Sequence, residues 1–243
     1  MPNAAAGADK TESRAGARAL RTQHTVWRPS HRLVPSRFPP VGLFDHVADA
    51  KDREAVYALE AMTNDRLREE AGDLNLVPVQ DRIAGPGTTP IMAAFTHLDP
   101  EGSRFSDGSY GVYYCARALD TALAEARSHQ ERFLRRTNEG PIRLELRLYL
   151  SNLDAKLTDV RKLPECHIAD DYGPGQRLGR VWRASGKDGV LYRSARHDGG
   201  LCAAVFRLPV FGACTQSAHY AFHFDGYSIV AIDELSTAWT LRP

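Results

Sequence analysis

Between Gly102 and His129 the sequence reads GSRFSDGSYGVYYCARALDTALAEARSH. The stretch places an arginine, Arg104, in a Gly/Ser loop and a tyrosine, Tyr114, on a short apolar run. It then sets a glutamate, Glu125, inside the small apolar sequence ALAEA. These types supply a guanidinium suited to anions, a phenol and a carboxylate within about two dozen positions. A second candidate is Ser194, followed by Arg196 and His197. That serine is either a nucleophile or a residue that ends a strand and caps a turn. It lacks the G-x-S-x-G elbow of a hydrolase. From residue types alone both readings stay open, as does a solvated role for Arg104 and Glu125.

Other motifs lead less far. Gly173-Pro174-Gly175-Gln176-Arg177-Leu178-Gly179 has the spacing G-x-G-x-x-x-G, and the preceding CHIADDY is no buried parallel strand. A dinucleotide fingerprint needs strand, tight turn and helix N-terminus in that order. The stretch is therefore read as a Gly-Pro turn opening a helix. Cys166, His167, Asp170 and Asp171 cluster in sequence, and His219 and His223 stand four apart. On a strand, which HYAFHF resembles, that His pair is roughly 13 Å apart, too far for one ion. No metal is expected.

The elements that must position these residues follow from periodicity. A helix is expected over Asp52–Ala71, closed by Gly72, and a second over Leu119–Arg136, with Gly140-Pro141 after its end. Asp81–Pro100 reads as a loop around one short apolar element, Ile91–Phe95. Val112–Ala116 is a short strand. Ile142–Leu150 (IRLELRLYL) alternates like a strand with one wet face. A short helix begins near Pro174 and ends over Val181–Ser185. Strands are expected over Gly189–Ser194, Leu201–Leu208, His219–Phe224 and Tyr227–Ile232. Asp225-Gly226 between the last two is a hairpin signal. Helices crowd the first half and strands the second, so the fold class is α+β.

The 243 residues suffice for one sizeable core. Residues 1–25 read as a disordered leader, structure starts near Trp27, and residues 26–243 form a single domain with an insertion around 40–100. The 31 basic and 30 acidic residues give a net charge of +1. That balance offers no field for nucleic acid or an anionic membrane, and no apolar run approaches a bilayer span. Cys115, Cys166, Cys202 and Cys214 form no C-x-x-C and read as reduced cysteines, mostly in the core. With no apolar stretch of a secretory signal near the start, a cytoplasmic location is expected.

Taken in order, these pieces resemble the RES-domain family, the toxin half of bacterial Xre–RES toxin–antitoxin pairs. Gly102-Ser103-Arg104-Phe105-Ser106 matches its glycine-rich arginine turn, and Gly111-Val112-Tyr113-Tyr114-Cys115-Ala116 its following strand. Ala122-Leu123-Ala124-Glu125 matches its A-x-x-E helix, and Asp188–Arg196 its later serine element. His31-Arg32 matches the pair that opens the domain. Departures lie at Ser103, Ser106, Arg193, Leu201 and Cys202, which touch fine substrate contacts more than the reaction.

The resemblance implies an ADP-ribosyltransferase-like fold and an enzyme that consumes NAD+ by cleaving its nicotinamide–ribose bond, with phosphate or water as acceptor. A mono-ADP-ribosyltransferase acting on a host protein is the alternative, and a non-catalytic interaction module the third reading. The resemblance assigns catalysis to Glu125, Arg104 and Tyr114, and NAD+ binding to Arg32, Ser194, Tyr114 and Arg104. It also implies a cognate Xre-type antitoxin as partner.

Overall fold

The computed structural model describes residues 20–36 and 72–236. The helix expected over 52–71 and residues 1–19 of the expected leader lie outside them. The described residues form seven strands and three α-helices: β1 (Thr22–Pro35), α1 (Thr89–Thr96), β2 (Tyr113–Ala116), α2 (Leu119–Arg136), β3 (Ile142–Asp159), α3 (Gly173–Ala184), β4 (Gly189–Arg193), β5 (Leu201–Val205), β6 (Phe211–Phe224) and β7 (Ile229–Leu235). The class is α+β, with strands concentrated in the second half.

Most strands lie antiparallel, and the order across the sheet is β1-β2-β5-β4-β3-β6-β7. The parallel pair is β3 with β4, and α3 forms part of their connection. β1 also pairs with β3, from Thr22↔Thr158 to Pro35↔Leu146. The ladder β1-β2-β5-β4-β3 therefore returns to β1 and closes on itself. β6 and β7 extend from the other edge of β3.

β3 runs nine residues past the predicted IRLELRLYL. Its alternation holds, but the expected wet face is covered at the centre: Arg147 and Tyr149 are as buried as Leu146 and Leu148. The leucines pack with Phe222 and the apolar stripe of α2, whereas Tyr149 belongs to the cluster around Trp27, Met92 and Tyr113. β1 begins at Thr22, five residues before Trp27. Its first residues are polar and pair with the far end of β3, so no apolar pattern announces them.

β2, β4 and β5 lie between two cores. Tyr113, Cys115, Leu191, Ala203 and Val205 face one with α1. Ala116, Val190, Tyr192, Cys202 and Ala204 face the other with Trp182 of α3. Burial on both faces explains their continuous apolar sequences. The four cysteines are free and buried. At the β6–β7 hairpin, Asp225 Oδ1 accepts from the backbone N–H groups of Tyr227 and Ser228, both at 2.8 Å. Gly226 there takes φ +98°, a conformation that favours glycine. The short apolar element expected at Ile91–Phe95 is part of α1, because Pro90 opens a helical turn that buries Ile91, Met92 and Phe95.

The glycines of the G-x-G-x-x-x-G stretch have a packing reason. Gly175 and Gly179, four apart on α3, lie against the loop that carries Arg104. A Cβ on Gly175 would sit 2.4 Å from the Arg104 carbonyl oxygen, and one on Gly179 2.2 Å from that of Phe105. Gly179→Ala is therefore expected to destabilise the fold by about 1–3 kcal/mol through overpacking. Gly140→Ala, with nothing within 4 Å, should leave the urea midpoint nearly unchanged. Equal midpoints for the two variants would refute the close approach.

Candidate functional site

The loop between α1 and β2 is fixed by its own polar groups. Ser106 Oγ donates to the Tyr110 carbonyl at 2.6 Å, and the Tyr110 hydroxyl donates to the Phe105 carbonyl at 2.6 Å. Phe105, fully buried, packs against Trp182 and Tyr192. The Phe105 N–H donates to the Tyr114 hydroxyl at 2.9 Å, which also shares a 2.8 Å hydrogen bond with Ser103 Oγ. Burial pushes the Tyr114 phenol up to about 12, against the lowering pull of these hydrogen bonds and of Arg104. Tyr114 is thus a neutral phenol near pH 7.

Arg104 is only 6% exposed. Its Nη1 donates to the carbonyls of Ile168 at 2.7 Å and Cys166 at 3.3 Å, and its guanidinium lies 4.8 Å from the centre of the Tyr172 ring. The arginine thereby ties the segment ahead of α3 to the β2 loop. Arg32 on β1 donates to the Tyr114 carbonyl at 2.9 Å and sits 4.6 Å over the Tyr113 ring. Its Nε is buried without a hydrogen-bond partner.

Glu125 lies two turns into α2. Ser194, just past β4, donates to its Oε1 at 2.6 Å. The same Ser194 Oγ accepts the backbone N–H groups of Arg196 at 3.0 Å and His197 at 2.9 Å. One turn before Glu125, buried Thr121 meets His197 Nδ1 at 2.9 Å. Two α2 residues four apart thus grip one loop, and the Ser194 hydroxyl orients the Glu125 carboxyl group.

Arg32, Arg104, Tyr114 and Glu125 all line one cleft of about 1160 Å³. Ser194 joins them through Glu125. Five arginines of the lining (Arg32, Arg104, Arg132, Arg136, Arg147) outnumber its three carboxylates, Asp99, Glu101 and Glu125. The near-neutral chain therefore concentrates positive charge where it is concave, an arrangement that attracts anionic small molecules. Among the described residues no three His, Cys, Asp or Glu side chains come together as a metal site.

Sequence reasoning missed His129, Arg132 and Arg136, which also line the cleft. Their offsets of four, seven and eleven from Glu125 are the signal that would have found them. It also missed Tyr172, whose ring sits near both Arg104 and Arg132 (4.8 and 4.5 Å). No local pattern marks it.

Ser194→Ala removes the donor to Glu125 and the acceptor of two backbone N–H groups. Urea unfolding should show a loss of roughly 1–3 kcal/mol, with the native far-UV spectrum retained. Unchanged stability would mean that this hydrogen-bonded loop does not form in solution.

Comparisons with known proteins place the chain among relatives. The family model described as RES domain matches residues 80–225, a span that holds Arg104, Tyr114, Glu125 and Ser194 but not Arg32. The uncharacterized protein y4oC of Sinorhizobium fredii (strain NBRC 101917 / NGR234) is 34% identical over 212 residues, covering 82% of this chain and 84% of that protein. The crystal structure of the M. tuberculosis MbcT–MbcA toxin–antitoxin complex aligns at 13% identity with a TM-score of 0.43, covering 81% of this chain and 86% of that one. With the model matched over more than half its length and a relative of this identity, the chain belongs to the RES-domain family.

Proposed function

We propose that this protein is the toxin of a toxin–antitoxin pair and acts by cleaving the nicotinamide–ribose bond of NAD+, with phosphate or water as acceptor. The observation that carries the reading is a carboxylate, Glu125, held at 2.6 Å by Ser194 in a cleft that is otherwise rich in arginine. As the bond breaks, its electron pair leaves with nicotinamide, which departs neutral, and positive charge develops on the ribose as in glycoside cleavage. A fixed carboxylate stabilises that charge without reorganising at the moment of reaction. Phosphate oxygen then bonds to the anomeric carbon to give ADP-ribose-1″-phosphate. With water as acceptor, the released proton passes to Glu125 or to solvent.

Tyr114 supplies a ring to stack on the nicotinamide, while its hydroxyl holds the loop before it. Ser194 orients Glu125 and stands beside the nicotinamide-side ribose. Arg32 adds a cation to the lining, and Arg104 fixes the segment that carries Tyr172. A cognate antitoxin of the Xre type would keep NAD+ out of the cleft.

Expression of the native chain alone should arrest growth, and Glu125→Ala should abolish the arrest while keeping the native far-UV spectrum. Purified native protein should release nicotinamide from NAD+, faster with phosphate, with the product identified by mass. Equal growth arrest by native and Glu125→Ala chains would remove Glu125 from the reaction. No release by folded native protein would remove the small-acceptor reading.

A further inference from the structure

Glu125, His129, Arg132 and Arg136 form one stripe of α2, because offsets of four, seven and eleven residues return to the same face of a 3.6-residue helix. All four line the cleft. The stripe therefore carries a carboxylate at one end and nitrogen donors over the following three turns, about 16 Å of helix. These positions differ in what already holds them. Arg136 is ion-paired with Glu101. Arg132 pairs with no carboxylate among the described residues, and its guanidinium lies 4.5 Å from the centre of the Tyr172 ring. His129 lines the cleft, and its imidazole is held below the usual range by burial and by the neighbouring Arg32, Arg132 and Arg136, against the opposing pull of Asp99.

Arg104, which the resemblance assigns to catalysis and NAD+ binding, lines the cleft but has one nitrogen already engaged. It is 6% exposed, and both protons of its Nη1 go to the carbonyls of Cys166 and Ile168. A ligand could engage that nitrogen only by breaking two buried hydrogen bonds. Arg132 needs no such exchange, and contact with an aromatic ring restricts its side chain before any ligand arrives.

We infer that His129 and Arg132 form a phosphate subsite which takes the pyrophosphate of the substrate, while Arg104 is a positioning residue for the segment 166–172. The identity of the ligand as a dinucleotide rests on the proposed function. In such a substrate one ribose separates the scissile carbon from the pyrophosphate. A carboxylate at that carbon leaves the phosphates within reach of the next turns of the same helix, whose His129 and Arg132 line the same cleft. The two partners differ in kind: Arg132 brings a permanent fork of donors for the oxyanions, and His129 a single neutral or charged donor.

The test is titration calorimetry on the full chain with three probes: inorganic pyrophosphate, ADP-ribose and adenosine. Arg132→Gln should weaken pyrophosphate and ADP-ribose by about tenfold, and His129→Gln should weaken both by a smaller factor. Adenosine should be unaffected, and Arg132→Lys should recover part of the loss. Thermal unfolding of each variant checks that the fold is kept. Native protein that binds pyrophosphate in an Arg132-dependent way but ignores ADP-ribose would uphold the subsite and overturn the dinucleotide reading. ADP-ribose bound equally by native and Arg132→Gln chains would overturn the subsite and leave the dinucleotide reading intact. Arg132→Gln that abolishes phosphate stimulation of nicotinamide release without changing ADP-ribose affinity would give these residues to the acceptor and overturn the pyrophosphate assignment. Native protein that binds neither pyrophosphate nor ADP-ribose overturns it as well.

Discussion

β3 is eighteen residues long, and its two edges serve three strands. One edge pairs with β1 for most of its length, and the other pairs first with β6 and then, at Leu157–Asp159, with β4. No shorter strand could span both partners on the second edge. This double pairing brings the ladder of β2, β5 and β4 back to β1. Closure sets Arg32 of β1 beside the Tyr114 carbonyl of β2, at 2.9 Å. It also ends β4 at a loop within reach of α2, where Ser194 meets Glu125. Closed pairing removes unpaired edges from the centre of the sheet, so β1, β2, α1 and α2 give the cleft rigid walls, while loops add the arginine turn, Asp99 and Tyr172.

The second constraint is the close approach of α3 to the arginine turn. Gly175 and Gly179 remove the side chains that would hold the helix away, and the backbone of Arg104–Phe105 fills that space. Phe105 is driven into the core beside Trp182 and Tyr192, which leaves Arg104 pointing at the segment before α3. The result is a guanidinium buried among carbonyl oxygens and one tyrosine ring. A buried cation costs much unless its donors are satisfied, and here the carbonyls of Cys166 and Ile168 accept the two Nη1 protons. Packing thus decides what an arginine in a Gly/Ser loop does. In this chain Arg104 orders a wall.

Charge follows a similar logic. The chain as a whole is nearly neutral, yet the cleft gathers five arginines and leaves Glu125 as a lone acid held by a serine rather than by a base. Asp99 acts on His129, one turn along α2, and Glu101 is ion-paired with Arg136. A carboxylate hydrogen-bonded to a hydroxyl keeps its charge for a ligand, whereas one paired with arginine would have it offset in advance. The positive surroundings favour an anionic ligand, and the carboxylate favours a ligand part that becomes positive. A dinucleotide that loses a neutral base meets both conditions.

Much of this was legible in the residues. Periodicity found α2 from end to end, and Asp225-Gly226 found the last hairpin, because those signals are local: a 3.6-residue repeat and a turn that needs a positive φ. The motif positions Arg104, Tyr114, Glu125 and Ser194 were readable because each lies in a short ordered pattern. The start of β1 at Thr22 was not, since a polar strand gains its stability from a partner more than a hundred residues away. Nor was the burial of Arg147, or the grip of Thr121 on His197 across 76 positions. Tyr172 joined Arg104 and Arg132 only when α3 docked. The sequence by itself determined which side chains are present and which helix face they share. Tertiary structure alone decided which of them face one another, because strand pairing and helix docking connect residues by distance in space, which no local pattern encodes.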